Sequence, residues 1–191
     1  VYSVFKEVDF ATNLETGPYA DSGLGEVFRA ARDLEAGQAY FDNFAAYAPS
    51  GGAPAKFLAT PVYSQAGQRV GVLALQVPVE PLYEMLSRTE QLGETGRIYV
   101  TSADGIAWSP TLDTGTNVLD RLPPLPQVTA AMAGDVQLLR NAPGLGGVPV
   151  ISATRAVVHD DTLWGMVLEQ DREEALAPER RMMMMMAGQV V

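Results

Sequence analysis

Few residues of this chain are arranged in a way that could support catalysis or metal binding. The one histidine, His159, is followed directly by Asp160 and Asp161, a combination that could hold a metal ion or act in acid–base catalysis. It falls between two predicted strands, where an exposed turn is the simpler interpretation. A serine triad would need this same histidine, and no Gly-x-Ser-x-Gly motif presents a serine nucleophile.

Phosphate-binding and carboxylate-pair chemistry are also absent from the pattern. The glycines at 144, 146 and 147 lie between two predicted strands and do not open a helix. Carboxylate pairs such as Glu173 and Glu174 fit a solvated face or the start of a helix. The sequence therefore predicts a protein that is not an enzyme, with no catalytic residue, no metal site and no cofactor.

Charge and cysteine content exclude further classes of function. The chain has 23 acidic and 13 basic residues, a formal net charge of −10, and no basic cluster longer than Arg180-Arg181. Such a chain repels nucleic acid, so no nucleic-acid partner is expected. Because there is no cysteine, disulfides and thiolate metal sites are excluded as well.

Residues suited to binding a small molecule gather in the first half of the chain. Aromatic side chains there alternate with a few charged ones: Phe5, Phe41, Phe44, Tyr47 and Tyr63, with Asp9, Asp42 and Lys56. Aromatic walls with a few polar groups are typical of a small-ligand pocket. Packing in the core is the alternative for each ring, and for Trp108 and Trp164 it is the favoured one.

The elements that must position these residues follow a repeat. Phe57 to Leu82 returns 94 residues later as Ile151 to Leu176, and the shared residues include Gln76 with Gln170 and Glu80 with Glu174. Each copy has an apolar strand, a polar turn, a second apolar strand and an acidic helix start. Two tandem copies of one αβ module are the leading interpretation, with convergent hairpins as the alternative.

The order of predicted elements favours an α+β fold. Helices are predicted at 24–36, 82–92 and 127–133, and hairpins at 57–79, 97–109 and 148–170, with further strands at 38–44 and 136–140. This order predicts two mainly antiparallel sheets flanked by helices, in modules at 1–88 and 89–178, with an exit segment at 179–191. By comparison with the second copy, the first lacks an opening strand and the helix before it.

Several segments together resemble the double Cache (PAS-like) sensor domains of bacterial chemoreceptors and related transducers. The run from Val70 to Val77 with Glu80 and Leu82 resembles their hairpin and exit helix, and Tyr2 to Leu14 a strand and loop of the membrane-distal module. The segments Gly96 to Val100 and Leu163 to Asp171 resemble the opening and the last strand of the membrane-proximal module.

This resemblance implies an extracytoplasmic, periplasmic small-molecule sensor anchored in the inner membrane. It implies a pocket in the first module, with Asp9, Lys56 and Tyr63 as polar anchors, and a homodimer formed through N-terminal and exit helices. Amino-acid binders of the family carry an Asp where this chain has Gln76, so amino-acid binding is not expected. The implied ligand-binding residues are Phe5, Asp9, Phe41, Asp42, Tyr47, Lys56, Tyr63 and Gln76.

Several alternatives stay open at this point. The chain could be a structural or dimerising module with a vestigial pocket. If it is a sensor, the output domain that follows it could be a chemoreceptor signalling region, a nucleotide cyclase or a histidine kinase. The uncharged run from Met182 to Val191 fits either the start of a membrane span or a low-complexity tail. A helix from Glu174 to Met186 is predicted to lead out of the second module, with a bend at Pro178.

Overall fold

The chain forms two separate sets of contacts, which divide between Val79 and Glu80. The structure is a computed structural model that describes residues 8–111, 113–159 and 162–187. Its antiparallel sheets and few helices give the predicted α+β class. The interpretation of the two units as tandem modules of one kind stays a prediction.

In the first unit, one helix covers one face of an antiparallel sheet. Strand β3 (Ala53–Tyr63) is central: β4 (Arg69–Val77) pairs with one edge, and β1 (Tyr40–Phe41) and β2 (Ala45–Tyr47) follow one another along the other edge. Helix α1 (Gly23–Arg32) begins after Ser22, whose hydroxyl accepts a hydrogen bond from the Gly25 N–H at 3.3 Å. Its apolar side packs against β3 in a core of Leu14, Leu24, Val27, Ala31, Tyr47, Ala55, Phe57 and Ala59.

In the second unit, four antiparallel strands lie in the order β5-β8-β7-β6. They are β5 (Arg97–Thr101), β6 (Leu138–Pro143), β7 (Pro149–His159) and β8 (Thr162–Asp171). Helix α3 (Pro126–Met132) buries Val128 and Ala131 in a core with Tyr99 and Val167. Helix α2 (Glu80–Leu86) precedes β5, and α4 (Arg172–Ala175) and α5 (Ala177–Ala187) follow β8.

The sequence repeat corresponds to two hairpins with the same strand register. In the first hairpin Phe57 is opposite Gln76, and in the second Ile151 is opposite Gln170, 94 residues further on in both strands. A one-residue slip would turn every side chain to the other face, so a shared register is a strong restriction. The two hairpins are therefore alike in structure as well as in sequence.

Three predicted elements differ most from the structure. The helix predicted to Leu92 ends at Leu86, and a short 3-10 turn, Glu90–Leu92, follows. The extended segment predicted at 38–44 forms strand only at Tyr40–Phe41. The Asp104-Gly105 turn is present, but Ile106 and Ala107 make isolated bridges in place of a strand, because Ala107 exchanges backbone hydrogen bonds with Leu119 and Asp120 of a returning loop.

The exit helix is interrupted near the predicted place. Helix α4 ends at Ala175 and α5 begins at Ala177, with Leu176 between them. Pro178 has no N–H to donate to the carbonyl of Glu174, which accounts for the interruption. Within the described residues, no helix has the length and apolar character needed to cross a membrane. Phe5, Asp160 and Asp161, and the end of the Met182 to Val191 run, lie outside the described residues.

Candidate ligand-binding site

The strand register of the first unit assigns the predicted site residues to two faces of the sheet. Directly opposed residues in an antiparallel pair point to the same face. Tyr47 is opposite Ala53, and so shares the α1-covered face with Ala55 and Phe57. Phe41 is opposite Leu58 and shares the other face with Lys56. The predicted residues therefore do not line one common surface.

On the α1-covered face, Tyr47 and Asp9 form a buried pair. The Tyr47 hydroxyl donates to Asp9 Oδ2 at 2.6 Å. The Tyr47 ring is 2% exposed and meets Phe57 edge-on, with 4.8 Å between centroids. Asp9 is 6% exposed, and its other oxygen, Oδ1, has no hydrogen-bond partner among the described residues. Buried carboxylate oxygens are nearly always bonded, so this one lacks a donor that its burial would normally require.

Asp42 is a second buried carboxylate on the same face. Its Oδ1 accepts a hydrogen bond from the Phe57 N–H at 2.5 Å, whereas its Oδ2 has no partner in the described part of the chain. The pKa of Asp42 is raised to about 6, mainly by burial and also by the nearby Glu26 charge, against the opposing effects of the Phe57 N–H and Lys56. Asp42 thus changes charge near neutral pH.

The close approach of α1 to Asp42 requires a glycine. A Cβ at position 23 would lie 2.0 Å from Asp42 Oδ2 and 3.2 Å from the Phe57 ring. Gly23 is the first residue of α1, so the missing side chain lets the start of the helix meet the carboxylate. The sequence offers no signal for this contact beyond a glycine at a predicted helix start.

On the opposite face, Lys56 and Phe41 form a cation–π contact. The Lys56 ammonium lies 5.8 Å from the Phe41 ring centroid, and the Lys56 residue is only 6% exposed. A buried ammonium group is stabilised by contact with electron-rich groups, and the face of an aromatic ring is one of them. This pair could contribute to a site on its own face of the sheet.

Two of the remaining predicted residues lie apart from these pairs. Tyr63 ends β3, and its hydroxyl donates to the Leu34 carbonyl at 3.1 Å. The length of β3 separates it from Ala53, beside Tyr47, by about 30 Å at the usual rise per residue. Gln76 is opposite Phe57 on the α1-covered face but is exposed near the end of β4. Their ligand-binding roles stay predictions.

The second unit contains a buried polar cluster that the sequence analysis missed. Glu169 is fully buried, and its carboxylate accepts hydrogen bonds from the Tyr99 hydroxyl at 2.7 Å, Gln127 Nε2 at 2.7 Å and the Leu145 N–H at 3.0 Å. Burial and the Glu169 charge raise the pKa of Tyr99 far above its usual range. The one available signal was a glutamate at an inward position of an apolar strand.

Arg97 joins this cluster to the surface. Its guanidinium contacts Glu169 at 3.4 Å, Asp113 at 2.9 Å and Asp171 at 3.6 Å, and its side chain is 11% exposed. One cation meets three carboxylates, so the cluster is net negative. Within the described residues, no group of three or more acidic or histidine side chains is placed to hold a metal ion.

Comparison with known proteins relates this fold to receptor sensory domains. The periplasmic sensory domain of the Campylobacter jejuni chemoreceptor Tlp1 matches with a TM-score of 0.61 at 15% identity, over 82% of this chain and 57% of that one. The ligand-binding domain of the Pseudomonas fluorescens chemoreceptor CtaA, in complex with L-serine, matches with a TM-score of 0.56 at 19% identity, over 88% of this chain and 65% of that one.

A third match comes from another class of receptor. The extracellular domain of the putative histidine kinase mmHK1S-Z2 has a TM-score of 0.55 at 18% identity, over 86% of this chain and 64% of that one. No protein-family profile and no curated protein sequence matches the chain. The chain spans less than two thirds of each of these three solved domains. It has the fold of sensory domains from chemoreceptors and a histidine kinase.

Proposed function

We propose that this chain is the extracytoplasmic small-molecule-sensing region of a transmembrane receptor, with its ligand pocket in the first unit on the α1-covered face. The shared fold with chemoreceptor sensory domains supports this proposal. In more detail, the proposal places a membrane-distal Cache module at 1–88, a membrane-proximal Cache module at 89–178 and an exit segment at 179–191, in a region that is not itself catalytic. The common hairpin register of the two units supports the tandem arrangement.

The observation that carries the pocket is a pair of unsatisfied carboxylates. Asp9 Oδ1 and Asp42 Oδ2 are both buried without a hydrogen-bond partner among the described residues. An unmet buried acceptor costs about 1–3 kcal/mol. Both carboxylates lie on the face with the aromatic residues Tyr47 and Phe57. A ligand that supplies N–H or O–H donors would recover this free energy.

These groups define the chemistry of the ligand. Two buried carboxylates favour a molecule with an ammonium, amide or hydroxyl group and disfavour a bare anion. The L-serine bound by CtaA carries such donors, but that statement concerns CtaA. Gln76, on the same face of the sheet, adds a neutral amide. We infer a polar ligand with several donors, recognised without Lys56.

The proposal extends from the ligand pocket to the receptor that would contain this region. The exit segment α4–α5 follows the last strand of the second unit, where a sensory domain would connect to its membrane helix. Anchoring in the inner membrane, a homodimer and a chemotaxis output are parts of the proposal that the fold makes reasonable. A structural or dimerising module is the alternative, and it has no need for two unsatisfied carboxylates.

Ligand screening with matched variants tests the pocket. A panel of amines, amino acids, polyols and carboxylates is tested by thermal shift, since a ligand at 100 times its Kd stabilises by about 2.7 kcal/mol. The hit is then titrated into Asp9→Asn and Asp42→Asn, with Asp21→Asn as an exposed control for the same charge change. We expect Asp9→Asn and Asp42→Asn each to bind the compound about tenfold more weakly than the wild type. The control Asp21→Asn should bind it with wild-type affinity.

The opposite face supplies the alternative outcome. Lys56→Ala removes the cation that faces away from α1, and by our proposal it leaves the affinity of the hit unchanged. Loss of binding in Lys56→Ala with full affinity in both aspartate variants would move the pocket to the Phe41 face. A panel with no stabilising compound would favour the structural module.

A further inference from the structure

The second unit contains a cleft that the unit 1 pocket does not explain. Its volume is about 230 Å³, and it lies between the segment after α2 and the start of β5. Apolar groups from Leu86, Ile98 and Pro110 share its lining with hydroxyl-bearing residues: Tyr83, Ser87, Thr89, Thr95 and Thr111. Apolar surface combined with a few convergent polar groups is typical of small-molecule sites.

The charged residues around this cleft favour a positively charged ligand over a negatively charged one. Glu94 and Asp113 line it, and the one cation among its described lining residues, Arg97, is held by Asp113, Glu169 and Asp171. An anion would have to displace a carboxylate from Arg97, whereas a cation would meet an excess of negative charge. The volume suits a compact molecule.

The wall of the cleft is bonded directly to the exit segment. The Glu174 carboxylate, in α4, accepts hydrogen bonds from the Glu94 N–H at 2.7 Å and the Thr95 N–H at 2.9 Å, and a further one from the Thr95 hydroxyl. That hydroxyl in turn accepts from the Asp171 N–H at 3.0 Å. Gly93 has a φ of 78°, and a Cβ there would lie 2.1 Å from Glu174 Oε1.

We propose that this cleft is a second small-molecule site, for a compact organic ammonium ion, and that its occupancy acts on the exit segment through the Glu174 carboxylate. Glu94 and Thr95 connect the cleft to the exit segment, because they line the cleft and their backbone N–H groups donate to the Glu174 carboxylate. A ligand that orders residues 93–96 strengthens these hydrogen bonds, and by reciprocity the intact Glu174 contact strengthens ligand binding.

Calorimetric titration of the chain tests the site. Ethanolamine and putrescine serve as cationic probes and acetate as the anionic one. We expect both amines to bind and acetate not to bind. Glu94→Gln and Asp113→Asn should weaken amine binding about tenfold, since each removes one charged partner. Glu84→Gln, the same change on exposed α2 outside the cleft, should not.

Two further variants keep the result interpretable. The titrations are made in an Asp42→Asn background, which weakens amine binding in the unit 1 pocket. Ser87→Leu fills the cleft from an exposed position and should abolish the amine binding that remains. Failure of this site is thereby separated from failure of the unit 1 pocket. Amine binding that survives Glu94→Gln, Asp113→Asn and Ser87→Leu, or acetate binding tighter than the amines, overturns the site.

Amide hydrogen exchange tests the connection to the exit segment. In the amine-saturated chain we expect the exchange of the Glu94 and Thr95 amides to slow at least several-fold, and this protection to be lost in Glu174→Gln. Binding without any change at these two amides would overturn the coupling.

Discussion

Replacing Asp42 by asparagine should stabilise the protein at neutral pH. Burial raises the pKa of Asp42 from 3.8 to about 6 in the folded chain. Because the unfolded chain releases this proton more readily, rising pH favours unfolding between about pH 4 and pH 6. Protonated Asp42 makes its full contribution to the free energy of unfolding below about pH 4, and this contribution is lost as the pH rises through 6. Asp42→Asn removes this loss and keeps an oxygen that can accept the Phe57 N–H.

The magnitude follows from the shift. About two pKa units at 1.36 kcal/mol each give an upper bound of about 3 kcal/mol. Solvent screening of a partly buried charge reduces this to about 1–2 kcal/mol. The free energy of unfolding in urea is measured from pH 4 to pH 8 for the wild type, for Asp42→Asn and for the control Asp21→Asn, which removes an exposed charge.

The expected profile has a definite shape. The Asp42→Asn variant exceeds the wild type by about 1–2 kcal/mol at pH 8, and the two converge near pH 4. Asp21→Asn reports the effect of net charge alone. An Asp42→Asn variant that is less stable than the wild type at pH 8, or a difference that does not vary with pH, would refute the reasoning about desolvation.

Three other substitutions test separate contacts, each by urea unfolding. Glu169→Gln should destabilise by about 1–3 kcal/mol, because its amide NH2 replaces a buried carboxylate oxygen that accepts hydrogen bonds and leaves those donors unpaired; a loss below 1 kcal/mol would contradict this. Tyr47→Phe removes the donor to Asp9 Oδ2 and should cost about 1–3 kcal/mol, and an unchanged midpoint would count against the pair. Gly67→Ala at φ 75° should cost about 1 kcal/mol, whereas Gly71→Ala, with equal free space and no such φ, should cost less; equal losses would disprove the backbone argument.

The sheet hairpins could be predicted because their information is local. The alternation of residues in β3, β4, β7 and β8, together with a glycine at positive φ in the first turn, sets strand and register within about 20 residues of chain. The equal registers of the two hairpins follow from the repeat. The irregular segment at 106–109 was not predictable in this way, since the partners of Ala107 come from a loop that carries no pattern.

The site was only partly predictable because burial depends on distant contacts. The pattern of aromatic and acidic residues indicated Asp9, Asp42 and Tyr47: Asp9 bonds to the Tyr47 hydroxyl, and Tyr47 and Asp42 lie on the α1-covered face. Their ligand-binding roles stay predictions. Lys56 follows directly after Ala55 but points to the other face, because successive residues of a strand point to opposite faces of the sheet. Glu169 was missed because its four donors come from three separate segments of the chain.

The central claim, a sensor whose pocket lies on the α1-covered face of the sheet of the first unit, is tested most directly by a crystal structure of the chain with a compound selected in the thermal-shift screen. We expect density for the compound on the α1-covered face, with its donors within hydrogen-bond distance of Asp9 Oδ1 and Asp42 Oδ2. Density against Phe41 and Lys56, or a compound that leaves both aspartate oxygens unbonded, would contradict it.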